Sequence, residues 1–100
     1  MANLGEQIDA DVAANKVVVY SKSWCPFCVQ TKNLLNQKGI QFKLVELDQT
    51  GDGDEIQARL LGKTGQRTVP NIFIGGEHIG GNSELQALNA DGQLDAKLAA

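Results

Sequence analysis

The sequence predicts an α/β domain with elements in the order α-β-α-β-α-β-β-α-α. The β-branched run at residues 17–19 is typical of a strand that is covered on both faces, as in a parallel sheet. A helix is expected between Pro26, which suits a first helical position, and Gly39, which suits a helix end. Further along, Gly75-Gly76 predicts a two-residue turn that joins two short antiparallel strands.

The other elements follow from local signals in chain order. Apolar residues at near-helical spacing predict an amphipathic first helix. Because a helix joins the first strand to the second, these two strands should be parallel. Asp54 and Gln57 have capping-box spacing, which would begin the third helix at Asp54. The predicted helices cover residues 3–14, 26–38, 54–61, 83–90 and 93–98. The predicted strands cover residues 16–20, 42–47, 71–74 and 77–79.

Size and composition predict one folded domain, residues 1–100. Apolar residues make up 42% of the chain and charged residues 21%, which argues against disorder. The net charge of -3 gives no reason to expect nucleic acid binding. The first ten residues lack the basic and apolar regions of a signal peptide, and no apolar run approaches the ~20 residues that span a bilayer. We therefore expect a soluble, cytoplasmic monomer without a membrane partner.

Cys25 and Cys28 are the only cysteines, and they lie in the segment Cys25-Pro26-Phe27-Cys28. A secreted disulfide scaffold of this size would carry more cysteines. A tetrahedral zinc site needs about four ligands, which this pair and His78 cannot supply, so no metal is expected. In a reducing compartment such a pair predicts redox activity.

The position of the pair at a helix start divides its roles. Pro26 places Cys25 at the N-cap, where unpaired N–H groups and the helix dipole favour a thiolate. Lys22 could add positive charge nearby. Cys28 falls on the first turn within side-chain reach, so we expect Cys25 to be the exposed nucleophile and Cys28 the buried resolving thiol. The alternative is an inert pair of core cysteines, which the strand-to-helix setting disfavours.

A second motif, Thr68-Val69-Pro70, precedes the predicted strand at 71–74. A proline here can hold a cis bond and leave the preceding backbone unpaired with its own sheet. Val69 could then pair its N–H and C=O with an extended, peptide-like substrate. The alternative is a plain proline at the start of a strand.

A third motif, Gly80-Gly81-Asn82-Ser83-Glu84, leads into the fourth helix. Glycines at this place let a ligand approach the backbone, and the helix N-terminus attracts a carboxylate. The alternative is an ordinary turn in which Ser83 is the N-cap and Gln86 completes a capping box.

Together the three motifs resemble the glutaredoxin family of thioredoxin-fold proteins, in particular its dithiol (class I) members. The similarity runs over residues 16–98. It rests on Val19-Tyr20-Ser21-Lys22 before the Cys pair, on Thr64-Gly65-Gln66-Arg67-Thr68-Val69-Pro70, and on Gly80-Gly81-Asn82-Ser83-Glu84-Leu85. The resemblance implies a thioredoxin-like fold, with a four-stranded mixed sheet flanked by helices. It also implies a glutathione-dependent oxidoreductase that reduces glutathionylated and disulfide-containing proteins, with glutathione as co-substrate.

The resemblance further implies a glutathione site. Lys22 and Gln57 would contact the glycine carboxylate, and Arg67 could help with a carboxylate. Val69 would pair with the cysteinyl backbone, and the start of the fourth helix would hold the γ-glutamyl end. The glutathione-binding residues implied are Lys22, Phe27, Gln57, Arg67, Thr68, Val69, Pro70, Gly81, Asn82, Ser83 and Glu84.

Some of these residues have alternative roles. Lys22 could be a solvated loop side chain, Gln57 could be the capping partner of Asp54, and Thr68 could only shape the turn. Outside the site, His78 is expected on the surface of its strand. The acidic loop that contains Asp48 is expected to be solvated.

Three positions depart from the family's pattern. Phe27 stands where dithiol members usually carry tyrosine, so a hydrogen bond from that hydroxyl is lost. Glu84 stands where the family usually has aspartate, which lengthens the side chain expected near the γ-glutamyl amine. Trp24 is more typical of thioredoxins, and it could shield the site or cover the surface.

Two other functions stay open. One is a thioredoxin-like protein reduced by a flavin reductase, which Trp24 supports and which Lys22 and the Gly80-Gly81 segment disfavour. The other is a non-catalytic carrier in which two chains share a [2Fe–2S] cluster through Cys25 and glutathione thiols. Pro26 disfavours the carrier, because it stiffens the helix start.

Overall fold

The computed structural model describes residues 3–100, so Met1 and Ala2 of the predicted domain lie outside the described residues. The elements follow the predicted order. The helices are α1 (Leu4–Ala14), α2 (Pro26–Gln37), α3 (Gly53–Thr64), α4 (Asn82–Ala90) and α5 (Gln93–Ala99). The strands are β1 (Val17–Ser21), β2 (Lys43–Glu46), β3 (Asn71–Ile74) and β4 (Glu77–Gly80). Within residues 3–100, no helix is long and apolar enough to cross a membrane.

The four strands form one mixed sheet in the order β2-β1-β3-β4. β1 pairs parallel with β2 and antiparallel with β3, and β3 and β4 form a hairpin. Gly75 and Gly76 turn this hairpin with φ of 58° and 81°, a region that favours glycine. The predicted fold class, the parallel pair and the hairpin are therefore confirmed.

Helices cover both faces of the sheet, which explains why every residue of β1 is buried. One core lies between the sheet and the helices α2, α4 and α5. It contains Val17, Val19, Leu34, Leu35, Ile72, Ile74, Leu85 and Leu94. The other lies between the sheet and the helices α1 and α3. It contains Ile8, Val18, Tyr20, Leu47, Ile56, Leu60 and Phe73. Because α2 and α4 pack against each other in the first core, the two helix starts that the sequence singled out lie on the same side of the sheet.

The start of α3 differs from the prediction. The helix begins at Gly53, with Asp52 at the N-cap and no side-chain capping bond, so the capping box of Asp54 and Gln57 is wrong. Gly53 is buried against the end of β2, where a Cβ would lie 1.8 Å from the Leu47 carbonyl oxygen. The close approach of two backbones fixes this helix start, and a side-chain pattern cannot reveal it.

We expect Gly53→Ala to destabilise the fold strongly, because the added methyl group would overlap the Leu47 carbonyl. Overpacking of this kind costs about 1–3 kcal/mol. For a domain of this size, each kcal/mol lowers the melting temperature by about 4–8 °C. Thermal unfolding followed by circular dichroism would measure the loss.

Gly62→Ala is the matched control, because Gly62 lies in the same helix and a Cβ there meets nothing within 4 Å. It should raise stability by up to about 1 kcal/mol, the usual gain of alanine over glycine inside a helix. If both variants unfolded at the same temperature, the packing argument for Gly53 would be wrong.

Candidate active site

Cys25 is the N-cap of α2, as the sequence predicted. Its backbone is extended (φ -82°, ψ 119°), and Pro26 takes the first helical position. The Cys25 Sγ accepts a hydrogen bond from the Cys28 N–H at 3.4 Å, so sulfur replaces the oxygen of an ordinary cap. Because this N–H has no partner inside the helix, the Cys25 sulfur occupies the place of a capping acceptor at the start of α2.

Both cysteines are free thiols, and both are largely enclosed. Cys25 is 6% exposed and Cys28 is fully buried. The prediction that Cys25 is exposed is therefore wrong, although Cys25 is still the more accessible of the two. Its burial follows from the loop at residues 68–70, which packs beside the start of α2.

Cys28 lies in an environment that keeps its thiol protonated. Burial raises the pKa of the Cys28 thiol above its ordinary value, and the neighbouring Cys25 adds to the rise. Contacts with the Lys22 backbone and the Ser21 hydroxyl only partly offset it. An acid with a raised pKa stays neutral at neutral pH, and a neutral thiol is a poor nucleophile.

We therefore expect iodoacetamide to modify Cys25 well before Cys28 in the folded, reduced protein between pH 7 and 8. Raising the pH should increase Cys28 modification only above the ordinary thiol range. Peptide mapping by mass spectrometry would quantify both sites. Equal modification in denaturant is the control, and faster labelling of Cys28 in the folded protein would contradict the assignment.

The Thr68-Val69-Pro70 segment lies directly beside Cys25. The Val69–Pro70 peptide bond is cis. The Cys25 Sγ lies 3.9 Å from the Val69 carbonyl oxygen, to which the thiol donates a weak hydrogen bond. Within residues 3–100, the Val69 N–H has no backbone partner. The fold thus joins two motifs that are 44 residues apart in sequence.

A hollow of about 370 Å³ opens between this segment and the starts of α2 and α4. A Cβ at Gly81 would lie 3.6 Å from the Pro70 carbonyl oxygen, so the second and third motifs are in contact. The hollow is lined by Phe27, Gln66, Thr68, Val69, Pro70, Gly81, Asn82, Ser83 and Glu84. Of these lining residues, only Gln66 was not predicted as a site residue.

The start of α4 presents unpaired backbone donors to this hollow. Gly81 is the N-cap and offers no capping side chain, so the alternative in which Ser83 caps the helix is wrong. The first intrahelical bond runs from the Leu85 N–H to the Gly81 carbonyl at 3.1 Å. The N–H groups of residues 82–84 therefore have no partner inside the helix and suit a carboxylate.

The side chain of Asn82 has a structural role that the sequence did not predict. Its Oδ1 accepts hydrogen bonds from Thr31 Oγ1 at 2.9 Å and Gln86 Nε2 at 3.2 Å. Its Nδ2 donates to Gln30 Oε1 at 2.9 Å. These bonds hold the start of α4 against α2, so Asn82 offers its backbone N–H to the hollow.

Glu84 folds back towards the glycines that precede α4. A Cβ at Gly80 would lie 2.8 Å from the Glu84 Oε1, and Gly80 has a φ of 117°. The longer side chain thus places its carboxylate at the edge of the hollow. Phe27, 59% exposed, forms part of another wall with its ring.

Gln57 and Arg67 lie at a second, smaller hollow of about 240 Å³. The Gln57 Nε2 donates to the Arg67 carbonyl at 2.7 Å, so Gln57 connects α3 to the loop before Thr68 instead of capping its own helix. The exposed Arg67 side chain adds positive charge here. The two hollows are lined by neighbouring residues of one loop, since Thr68 lines the first and Arg67 lines the second.

Lys22 and Trp24 flank Cys25 on the side of the preceding loop. The Lys22 Nζ lies 5.8 Å from the centre of the Trp24 ring, a cation–π distance. The Lys22 carbonyl accepts a hydrogen bond from the Cys25 N–H at 3.1 Å. Trp24 is 68% exposed, so it lies on the surface beside the site and does not shield it.

Asp48, expected to be only solvated, holds the loop before Cys25. Its carboxylate accepts a hydrogen bond from the Ser23 N–H at 3.0 Å and another from the Ser23 hydroxyl. These hydrogen bonds from Ser23 hold the pKa of Asp48 below its ordinary value. Asp48 stays exposed, and its role follows from the parallel pairing of β1 and β2, which brings the ends of the two strands together.

His78 lies on the edge strand β4 and is half-buried there. Its Nε2 forms a hydrogen bond with Asn71 Oδ1 at 2.8 Å, and its ring packs on Phe73 with centroids 5.2 Å apart. Burial lowers the pKa of His78, which favours the neutral ring. The described residues contain no group of three or more His, Cys, Asp or Glu side chains that could hold a metal ion.

The fold and the site define a class of protein. A four-stranded mixed sheet carries a Cys-x-x-Cys pair at a helix start, and a cis-proline loop lies against the first cysteine. This arrangement is that of a thiol–disulfide oxidoreductase with a thioredoxin-like fold.

Comparison with known proteins narrows the class to a family. The profile of the glutaredoxin family matches residues 17–79. Glutaredoxin-C6 of Oryza sativa subsp. japonica is 58% identical over 83 residues, which cover 83% of this chain and 74% of that protein. Glutaredoxin-C2 of Arabidopsis thaliana is 55% identical over 83 residues, with coverage of 83% and 75%.

Solved structures of glutaredoxins have the same fold as this chain. The crystal structure of a buckwheat glutaredoxin–glutathione complex has a TM-score of 0.94 and 46% identity, and covers 96% of this chain and 87% of that one. A wheat glutaredoxin has a TM-score of 0.93 and 53% identity, with coverage of 96% and 91%. The chain belongs to the glutaredoxin family, and its Cys25-Pro26-Phe27-Cys28 pair makes it a dithiol member.

Proposed function

We propose that this glutaredoxin reduces protein–glutathione mixed disulfides and protein disulfides, with glutathione as the electron donor. The observation that carries the proposal is the 3.9 Å approach of the Cys25 Sγ to the Val69 carbonyl, at the edge of the hollow. A peptide paired with Val69 would bring its own sulfur next to Cys25. The buckwheat relative, solved as a complex with glutathione, supports glutathione as that peptide.

The charges around the hollow suit glutathione. Its cysteinyl backbone would pair with the free N–H and the carbonyl of Val69, as in strand addition. Its γ-glutamyl carboxylate would accept hydrogen bonds from the backbone N–H groups at the start of α4. Its glycine carboxylate would lie towards Arg67 and Gln57, with Lys22 on the other side of Cys25. Glu84 would face the γ-glutamyl ammonium.

The reaction proceeds by thiol–disulfide exchange. The Cys25 thiolate attacks the glutathione sulfur of a mixed disulfide, and the protein thiolate leaves and takes up a proton. Cys25 then carries glutathione. The thiolate of a second glutathione attacks the glutathione sulfur of this intermediate, which releases oxidised glutathione and restores the Cys25 thiolate.

With a protein disulfide, Cys28 completes the reaction. Cys25 first forms a mixed disulfide with the substrate. Cys28 loses its proton and attacks the Cys25 sulfur, which releases the reduced substrate and leaves a Cys25–Cys28 disulfide. Two molecules of glutathione then reduce this disulfide. The Cys25 thiol is one of the groups that raise the pKa of Cys28, so a Cys25 held in a mixed disulfide would no longer add to that rise.

The choice of electron donor tests the proposal. Glutathione with glutathione reductase and NADPH should support steady turnover of a glutathionylated protein. A thioredoxin reductase with NADPH should support little. The reverse result would favour the thioredoxin-like alternative, and activity with neither donor would reject the proposed function.

The cytoplasmic location and the monomeric state stay predictions, which cell fractionation and light scattering would test.

A further inference from the structure

Gln66 connects both sides of the loop that carries Val69. Its Nε2 donates hydrogen bonds to the Thr68 carbonyl and to the Pro70 carbonyl, both at 2.9 Å. A primary amide has two N–H donors, so both are used. Gln66 thus bridges the carbonyls on either side of Val69 and leaves the Val69 backbone out of the contact.

Gln66 is itself anchored to the sheet and to α3. Its backbone N–H donates to Thr64 Oγ1 at 3.0 Å, and this hydroxyl donates to the Leu60 carbonyl at 2.8 Å. The side chain of Asn71, the first residue of β3, also reaches Thr64 Oγ1, at 3.5 Å. The end of α3 and the start of β3 therefore fix the position from which Gln66 acts.

The orientation of one peptide unit follows from these contacts. The peptide bond between Thr68 and Val69 is trans, so its C=O and N–H point in opposite directions. Because Gln66 holds the Thr68 carbonyl, the Val69 N–H must point away from the Gln66 amide. This N–H has no backbone partner within the described chain, and Val69 lines the hollow.

We propose that Gln66 is a positioning residue for glutathione, because its amide fixes the orientation in which Val69 pairs with the cysteinyl backbone. This inference rests on the proposed function. Gln66 does not touch the reacting sulfurs, so it should affect binding of the glutathione moiety and leave the chemistry of Cys25 unchanged.

Gln66→Met tests the proposal, because methionine has a similar length and no donor. With the mixed disulfide of glutathione and 2-mercaptoethanol as substrate, we expect KM to rise about tenfold for the loss of two hydrogen bonds. We expect kcat to change little. The pH profile of Cys25 alkylation should match the wild type, which separates positioning from a change in the nucleophile.

Gln66→Asn is the second variant, since its shorter amide keeps the polarity but cannot bridge both carbonyls. It should raise KM in the same direction even if the methionine variant folds poorly. Gln41→Met is the matched control, because Gln41 is exposed between α2 and β2. It should leave KM unchanged.

The outcomes separate the inference from the function on which it rests. An inactive wild type would reject the proposed function. An active wild type with unchanged KM in both folded Gln66 variants would overturn the role of Gln66. A lower melting temperature with unchanged KM, or an equal loss of kcat and of Cys25 alkylation, would also overturn it, because each would indicate a general structural role.

Discussion

Cys25→Ser should abolish turnover with every disulfide substrate. The hydroxyl of serine is far less acidic than a thiol and is not ionised at neutral pH, so serine cannot replace the attacking thiolate. Loss of the attacking group should lower kcat by roughly 10³-fold or more. A coupled assay with glutathione, glutathione reductase and NADPH measures this loss with both a glutathionylated protein and a protein disulfide.

As a control, the Cys25→Ser variant must be shown to keep the fold and the hollow of the wild type. Serine is a good N-cap, so Cys25→Ser should keep the melting temperature near that of the wild type. Because the proposed glutathione contacts lie mainly in the backbone of Val69 and α4, the variant should still bind glutathione by calorimetry. Substantial turnover by a correctly folded Cys25→Ser protein would show that Cys25 is not the nucleophile.

The parts of the site that the sequence predicts are those with local signals. Pro26 and the spacing of the cysteines predict the start of α2, and this prediction holds at the N-cap itself. Glycines at 80–81 predict an open helix start, and α4 begins directly after them. In each case, the steric properties of one or two residues determine the backbone conformation at the helix start.

The parts that sequence analysis misses depend on partners distant in the chain. Ser23 meets Asp48 across 25 residues, and Thr31 meets Asn82 across 51. Polar loop residues without a known partner are expected to be solvated, which is why the role of Asp48 was missed. Packing explains the burial of Cys25 in the same way, because the N-cap signal does not indicate which loop covers it.

The role of Gln66 cannot be predicted from the sequence. Gln66 lies within the segment of residues 64–70 that carries the resemblance, yet nothing in its own neighbourhood distinguishes it from a surface glutamine. Only the fold shows both amide hydrogens directed at carbonyls on either side of Val69. A polar residue next to a binding motif is therefore worth testing for contacts with the motif's backbone.

Cys28→Ser should separate the two reactions. Reduction of a glutathione mixed disulfide needs only Cys25, because a second glutathione resolves the intermediate, so this activity should stay near the wild-type rate. Reduction of a protein disulfide should be lost, since the variant has no second cysteine within the site to release the substrate from Cys25. The same coupled assay with the two substrate types measures both rates.

A trapped intermediate gives an independent readout. Cys28→Ser should accumulate a mixed disulfide between Cys25 and a protein substrate, visible on a non-reducing gel and reversed by dithiothreitol. Cys28 is fully buried, and serine at this place is smaller and more polar, so the melting temperature must be checked beside the wild type. If the folded variant reduced protein disulfides at the wild-type rate, glutathione would be the resolving thiol in both reactions and Cys28 would have no role as a nucleophile.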